Sequence, residues 1–229
     1  MFWKSFKDRK CFIVCKNKIP TTKFDKAKTF GEIERYAEIG LILPKGMVVI
    51  DCDNLEDSKI IKRIIHNKKI NCIIMKTERG MHFIFKNFDD VNSNLVGVIT
   101  PIGIIVDVRS GNSNGYIIIK KAGIFRDIQF IGDKNNISKL PAFLRPLRLE
   151  KNNSVKWYEK IRKCDVGARN SNLTSFKGLL NFMDTKKIIK VLNIINDFVF
   201  TEKLPEKEMK SICNPAKIEK YKSKYKKEY

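Results

Sequence analysis

The sequence has few of the residues that build zinc sites. It contains two histidines, and its six cysteines include no CxxC pair, so we expect no structural zinc. Cys11 and Cys15 stand four residues apart in the apolar run CFIVC, where we expect them to behave as small hydrophobic residues of a strand. The scattered thiols favour a reduced, intracellular protein.

Long apolar stretches are also lacking. No segment reaches the roughly 20 consecutive apolar residues of a membrane helix, and the first residues, MFWKSFKDRK, lack the hydrophobic core of a signal peptide. No GxxxxGK[ST] loop occurs, so we expect no ATP-driven helicase within the chain. We therefore expect a cytoplasmic protein with no membrane partner.

Basic residues, in contrast, are abundant. Lys and Arg number 46 against 25 Asp and Glu, which gives 229 residues a formal net charge of +21. The excess is spread along the chain, since residues 151–229 carry 19 basic and 9 acidic side chains. Such a charge favours a polyanionic partner such as nucleic acid, although a genome biased towards lysine codons accounts for part of the same excess.

Short runs rich in Ile and Val recur through the first two thirds of the chain and predict β-strands. Between two of these runs, residues 54–66 repeat isoleucine at helical spacing, and Asn54 with Asp57 predicts an N-cap and a first-turn acid. Helix and strand together predict an α+β fold with a mixed sheet. The predicted strands are CFIV (11–14), MVVID (47–51), CIIMK (72–76), HFIFK (82–86), IIVDV (104–108), YIIIK (116–120) and IQFI (128–131).

The pattern changes after Pro146. Helical periodicity follows in SVKWYEKIRK, NLTSFKGLLNFM and KKIIKVLNIINDFVF, and we expect Pro205 in the first turn of a further helix. The polar segment LEKNNS has no periodicity, so we place the boundary there and expect two domains, residues 1–149 and 150–229. The last segment, KIEKYKSKYKKEY, is either a solvated helix end or a basic arm.

Paired acidic residues close one predicted strand. Asp51 and Asp53 follow MVVI two residues apart, so strand alternation places both carboxylates on one face. Such a pair suits Mg²⁺ or Mn²⁺, but acidic pairs also cap helices, bind lysines and occur in nucleases. A third acid, Asp107, ends another predicted strand and would complete a two-metal site.

Basic residues accompany these acids. The segment TERGMHFIFK places Gly80 in a turn before a strand that carries His82, with Arg79 three residues ahead of the histidine. Gly80 lets backbone amides approach a phosphate, and Arg79 and His82 are candidate triphosphate ligands. Arg109 and Lys120 are candidates for neutralising developing charge or for binding template phosphates. The alternatives are a half-buried strand histidine bonded to a backbone carbonyl and, for the cations, solvated surface charge.

In order and content these motifs resemble those of the archaeo-eukaryotic primase superfamily, in particular the primase-polymerase domains of phages and plasmids. The resemblance covers roughly residues 10–147. One turn departs from the family's pattern, which often has a Ser or a second Gly where this chain has Glu78-Arg79-Gly80, so the group that holds the triphosphate stays open. The similar segments are KNKIP (16–20), AEIGLIL (37–43), IDCD (50–53), TERGMHF (77–83) and VDVRSGNSNGY (106–116).

The resemblance implies a mixed-sheet primase-polymerase catalytic domain with an RRM-like core. It also implies a small helical domain after it, because GARNSNL (167–173) and the helical runs that follow are similar to that domain. Asp51, Asp53 and Asp107 are implied as catalytic ligands of two Mg²⁺ or Mn²⁺ ions. The implied nucleotide-binding residues are Arg79, Gly80, His82, Arg109 and Lys120.

The implied activity is that of a DNA primase/polymerase, which makes primers from nucleoside triphosphates on single-stranded DNA by two-metal nucleotidyl transfer. The setting would be phage or plasmid DNA replication in a bacterial cytoplasm, with a separate helicase as an expected partner. Two alternatives stay open. One is a non-catalytic replication-initiation or single-strand-binding module, and the other is a metal-dependent nuclease that uses the same acids.

Overall fold

The computed structural model describes residues 2–87, 91–147, 149 and 151–225. These residues form an α+β fold, as predicted, but both sheets are antiparallel, so the predicted mixed sheet is wrong. The crossover through a helix does place two strands parallel, but a third strand, Met81–Lys86, lies between them and pairs antiparallel with both. Within this part of the chain, no helix combines the length and the apolarity that crossing a membrane requires.

Eleven strands occur among the described residues. All seven predicted strands are present, with ends shifted by at most two residues. Four strands escaped prediction, because two of them contain a glycine, which weakens a strand pattern, and the other two are only two residues long. The strands are β1 (Phe12–Lys16), β2 (Ile19–Pro20), β3 (Ile39–Ile42), β4 (Met47–Cys52), β5 (Cys72–Lys76), β6 (Met81–Lys86), β7 (Leu95–Ile99), β8 (Ile105–Ser110), β9 (Tyr116–Lys121), β10 (Ile124–Phe125) and β11 (Ile128–Ile131).

Apart from a four-residue helix at Phe30–Ile33 that was not predicted, the α-helices found in the described residues follow the predicted order. Short 3₁₀ turns and one π-helical turn, Ile195–Val199, extend or connect them. The C-terminal basic segment is helical as far as Tyr225, and its last four residues lie outside the described part. The helices are α1 (Phe30–Ile33), α2 (Leu55–Asn67), α3 (Lys151–Arg162), α4 (Arg169–Phe176), α5 (Thr185–Ile194), α6 (Glu206–Ile212) and α7 (Pro215–Tyr225).

Helix α2 begins where the sequence predicted. The Asn54 side chain accepts a hydrogen bond from the Asp57 backbone N–H at 3.0 Å, which confirms the N-cap. Ile60, Ile61 and Ile64 are buried on one side of the helix, in agreement with the helical spacing of the isoleucines.

The two sheets pack on each other through a shared hydrophobic core. Their strand orders are β10-β9-β3-β1-β2 and β11-β5-β6-β4-β8-β7. Phe12, Leu41 and Ile117 from the first sheet belong to the same buried cluster as Val49 and Ile84 from the second. In the second sheet β4 pairs with β6 on one side and β8 on the other. Helix α2 connects β4 to β5, and β6 lies between those two strands, as in a split βαβ unit.

Contacts divide the chain into two compact units, each built from two segments of sequence. The first unit contains most of both sheets, and the second contains α3 to α7 around buried Leu173, Phe176 and Leu192. The units are Met1–Val96 with Asp107–Leu140, and Gly97–Val106 with Pro141–Tyr229.

The segment LEKNNS (149–154) was expected to be irregular. In the structure α3 begins at Lys151, so the last four residues of this segment are helical. Asparagine and serine are poor helix formers but are tolerated in a first turn, and Ser154 is fully buried there. The separation into domains 1–149 and 150–229 stays a prediction.

Candidate functional site

A row of polar side chains crosses the middle of the second sheet. Asp51 on β4 is paired in register with His82 on β6 and with Asp107 on β8. Residues directly opposite each other on neighbouring antiparallel strands have Cβ atoms about 5 Å apart and point to the same face. Three residues that are distant in sequence therefore form one line, with Asp51 at its centre.

Asp51 and His82 face each other in a largely dehydrated position. Their side chains are 15% and 8% exposed, and Asp51 Oδ1 lies 3.1 Å from His82 Nε2. The contact lacks hydrogen-bond geometry, and neither Asp51 Oδ1 nor His82 Nδ1 has another hydrogen-bond partner. Burial opposes ionisation of Asp51 most strongly, but His82 and two nearby arginines outweigh it, so the pKa of the Asp51 carboxyl lies below its ordinary value.

The other two predicted acids are each held by an arginine. Arg109 lies two residues after Asp107 on the same face of β8, and its Nη2 is 2.9 Å from Asp107 Oδ2. Asp53 follows the end of β4, where its Oδ2 is 2.6 Å from Arg79 Nη2. The structure thus brings four of the predicted site residues together as two acid–arginine pairs.

Gly80 has a steric role at this site. A Cβ atom at residue 80 would lie 1.8 Å from the Cys52 carbonyl oxygen, so only glycine lets the turn rest on the end of β4. The turn is closed by hydrogen bonds between Gly80 and Thr77, from the Gly80 N–H to Oγ1 and from the Thr77 N–H to the Gly80 carbonyl, both at 3.0 Å. The tight contact places Arg79 beside Asp53, while the Gly80 N–H is already bonded within the turn.

These residues line an open cleft of about 350 Å³ in the first unit. Six of the eight predicted site residues line it, and Gly80 belongs to the turn whose residues Thr77, Glu78 and Arg79 also line it. Sequence reasoning gave no role to five of its polar residues, Lys18, Thr77, Glu78, Tyr116 and Arg126. No motif marks Arg126, and Lys18 belongs to the KNKIP segment but was not assigned a role.

Lys120 lies elsewhere. It is on β9 in the first sheet, 9% exposed, and does not line the cleft. Its Nζ donates to the Glu34 carbonyl at 2.6 Å and lies 5.1 Å from the centre of the Phe125 ring. These contacts satisfy a buried ammonium group without any ligand.

The acids of the cleft fit a divalent cation in part. Asp51 presents a buried oxygen without a hydrogen-bond donor, next to Asp107 in register, and carboxylate oxygens are what Mg²⁺ and Mn²⁺ prefer. Asp53 is engaged by Arg79, and the described residues contain no cluster of three or more His, Cys, Asp or Glu side chains arranged to hold a metal. The fit therefore rests on two carboxylates. The six cysteines are all free.

Comparison with protein-family models and with curated proteins gave no match to this chain.

Proposed function

We propose that this protein is a DNA primase-polymerase that joins nucleoside triphosphates on a single-stranded template during phage or plasmid replication. The observation that carries the proposal is the placement of Asp51 and Asp107 side by side on adjacent strands, at the base of a cleft that also contains cationic side chains. Adjacent carboxylates in a cleft that also presents lysine and arginine side chains suit a reaction between a polyphosphate and a hydroxyl group.

The topology around the acids also supports the proposal. Taken alone, β4, α2, β5, β6 and β8 follow one another as strand, helix and three strands, and the strands lie in the order β8-β4-β6-β5. This strand order is similar to that of an RRM-like sheet, in which the first strand in sequence lies inside the sheet, although along the chain β7 stands here between β6 and β8 in place of a second helix. The acids resembling the primase motifs lie on its first and last strands.

Each side chain of the row has a definable task in such a reaction. Asp51 and Asp107 would hold a divalent cation, and Asp53 would join them on leaving Arg79. When bound, Mg²⁺ or Mn²⁺ would stabilise negative charge on the phosphoryl oxygens. His82 lies against Asp51 on the neighbouring strand, with Nε2 3.1 Å from Oδ1, and Arg109 holds Asp107. The low pKa of Asp51 keeps its carboxyl ionised at neutral pH.

Primer synthesis tests the proposal directly. Purified protein is incubated with single-stranded DNA, labelled nucleotides and Mg²⁺ or Mn²⁺, and the products are resolved by length. We expect Asp51→Asn and Asp107→Asn to lower synthesis by about 100-fold or more, because each removes one of the two carboxylates that would hold the divalent cation. Asp8→Asn is the matched control, since Asp8 is exposed and does not line the cleft.

Two outcomes would count against a primase-polymerase. If the wild-type protein binds single-stranded DNA but makes no product with either metal, a non-catalytic binding module is the better description. If the template is shortened and the shortening needs Asp51, the acids belong to a nuclease.

A further inference from the structure

The acidic side chains that line the cleft are all matched by basic ones. Asp53, Asp107 and Glu78 each have an arginine or lysine within ion-pair distance, so these three pairs add little net charge to the cleft, whereas the pair of Asp51 and His82 is neutral only when His82 is protonated. A ligand that bound one of these cations would have to compete with an acid already in contact. The pairs are Asp51 with His82, Asp53 with Arg79, Asp107 with Arg109 and Glu78 with Lys121.

Two cations of the cleft are left over from this matching. Lys18 and Arg126 both line it, and neither side chain makes a hydrogen bond or an ion pair anywhere in the described residues. Lys18 is exposed, whereas Arg126 is half-buried. Burial lowers the pKa of Arg126, and the acids nearby only partly offset this effect. A partly dehydrated guanidinium without a partner is a group that an anion would stabilise.

Arg126 is also held in place by its backbone. It lies where the chain leaves β10 of the first sheet for β11 of the second. Its N–H donates to the Ile119 carbonyl at 2.9 Å, and the next carbonyl, that of Asp127, accepts from the Lys76 N–H at 3.0 Å. Both sheets therefore fix the point from which the guanidinium extends, so little backbone ordering remains to be done when a ligand binds.

Lys18 is anchored in a similar way. It lies in the turn between β1 and β2, with a φ of +66°. Its N–H donates to Glu38 Oε1 at 2.6 Å, and its carbonyl accepts from Tyr116 Oη at 2.9 Å. The side chain is the only part of Lys18 left without a partner among the described residues.

We propose that Arg126 and Lys18 form the receptor for the polyphosphate tail of the incoming nucleotide, and that Arg79 instead controls the availability of Asp53. This inference rests on the proposed function for the identity of the nucleotide, but the anion site itself does not depend on catalysis. It answers the question left open by the Glu78-Arg79-Gly80 turn. The unpaired cations receive the phosphates, because they lose no ion pair on doing so.

The experiment measures binding of inorganic tripolyphosphate by titration calorimetry, in EDTA and at one fixed ionic strength. We expect Arg126→Gln and Lys18→Gln each to weaken binding by roughly tenfold to a hundredfold, as expected for the loss of a charged hydrogen bond. The double variant Arg79→Gln/Asp53→Asn, which removes both members of this ion pair and leaves the net charge of the cleft unchanged, should weaken binding less than about threefold. Lys59→Gln, on the exposed surface of α2 and outside the cleft, controls for the change in net charge.

Folding of each variant is checked by circular dichroism. Lys18 is exposed, so its substitution should disturb folding least. If Arg126→Gln folds poorly, Arg126→Lys replaces it in the test, because lysine keeps the charge but lacks the planar guanidinium. Equal weakening by Arg79→Gln/Asp53→Asn and Arg126→Gln, or unchanged binding in Arg126→Gln and Lys18→Gln, would overturn the inference.

The inference and the proposed function fail separately. If the wild-type protein synthesises primers but tripolyphosphate binding is unchanged in the Arg126 and Lys18 variants, the proposed anion receptor is wrong and the proposed primase-polymerase activity is supported. If both residues are needed for tripolyphosphate binding but no primer forms, the receptor stands and the proposed reaction is wrong.

Discussion

Replacing Gly80 by alanine tests the contact that sets the geometry of the cleft. The added Cβ would lie 1.8 Å from the Cys52 carbonyl oxygen and 2.9 Å from its carbon. Both are backbone atoms at the end of a central strand, so no change of rotamer relieves the overlap and the turn has to move. Overpacking costs about 1–3 kcal/mol in unfolding free energy. Because no flexible side chain absorbs this clash, we expect the upper end, about 3 kcal/mol.

The two tryptophans allow this loss to be measured in the correct unit. Trp3 belongs to the first unit and is 1% exposed, whereas Trp157 belongs to the second. In a Trp157→Phe background, Trp3 fluorescence follows unfolding of the first unit in urea. A loss of about 3 kcal/mol should lower the midpoint by roughly 1–3 M urea, for slopes of about 1–3 kcal/mol per molar.

Gly31→Ala is the matched control. Gly31 lies in α1, and a Cβ there would have nothing within 4 Å. Alanine in a helix is more favourable than glycine by about 0.5–1 kcal/mol, so this variant should unfold at the same or a higher urea concentration. If Gly80→Ala unfolds together with Gly31→Ala, the close approach of residue 80 to Cys52 is not a feature of the folded protein, and the steric reason for the turn is refuted.

Two further predictions concern groups outside the reacting row. Lys120→Met should lower the free energy of unfolding by about 1 kcal/mol through loss of the hydrogen bond to the Glu34 carbonyl. Primer synthesis and tripolyphosphate binding should stay unchanged. A tenfold loss of synthesis in a folded variant would show that Lys120 does take part in the reaction. Burial raises the pKa of the Cys52 thiol to about 12, so at pH 8 we expect mass spectrometry to find Cys52 alkylated by iodoacetamide only in urea. Alkylation of native Cys52 as fast as in urea would contradict its burial.

Much of the secondary structure was readable from local sequence. The Ile- and Val-rich runs became strands because side-chain alternation and β-branching act within a few residues. Asn54 capped α2 because the bond to Asp57 spans only three residues. β3 and β7 were missed because the glycine in each breaks the apolar pattern, and their pairing with other strands overrides the weak propensity.

The candidate site was predictable in its members but not in its pairing. The sequence was enough to select Asp51, Asp107 and His82 as strand residues that could bind a metal ion or a phosphate. The local sequence does not predict that β4 lies between β6 and β8, or that the three residues lie directly opposite one another on these strands. A shift of one residue in either pairing would turn a side chain to the opposite face.

The sequence by itself determined most of the strands and helices, the placement of the acids in or just after strands and the basic character of the chain, because these depend on neighbouring residues or on composition. Only the tertiary structure decided which charges meet. It paired Arg79 with Asp53, removed Lys120 from the cleft and left Lys18 and Arg126 in it without partners. Ion pairing depends on distances between segments far apart in the chain, and folding sets those distances through the packing of the two sheets.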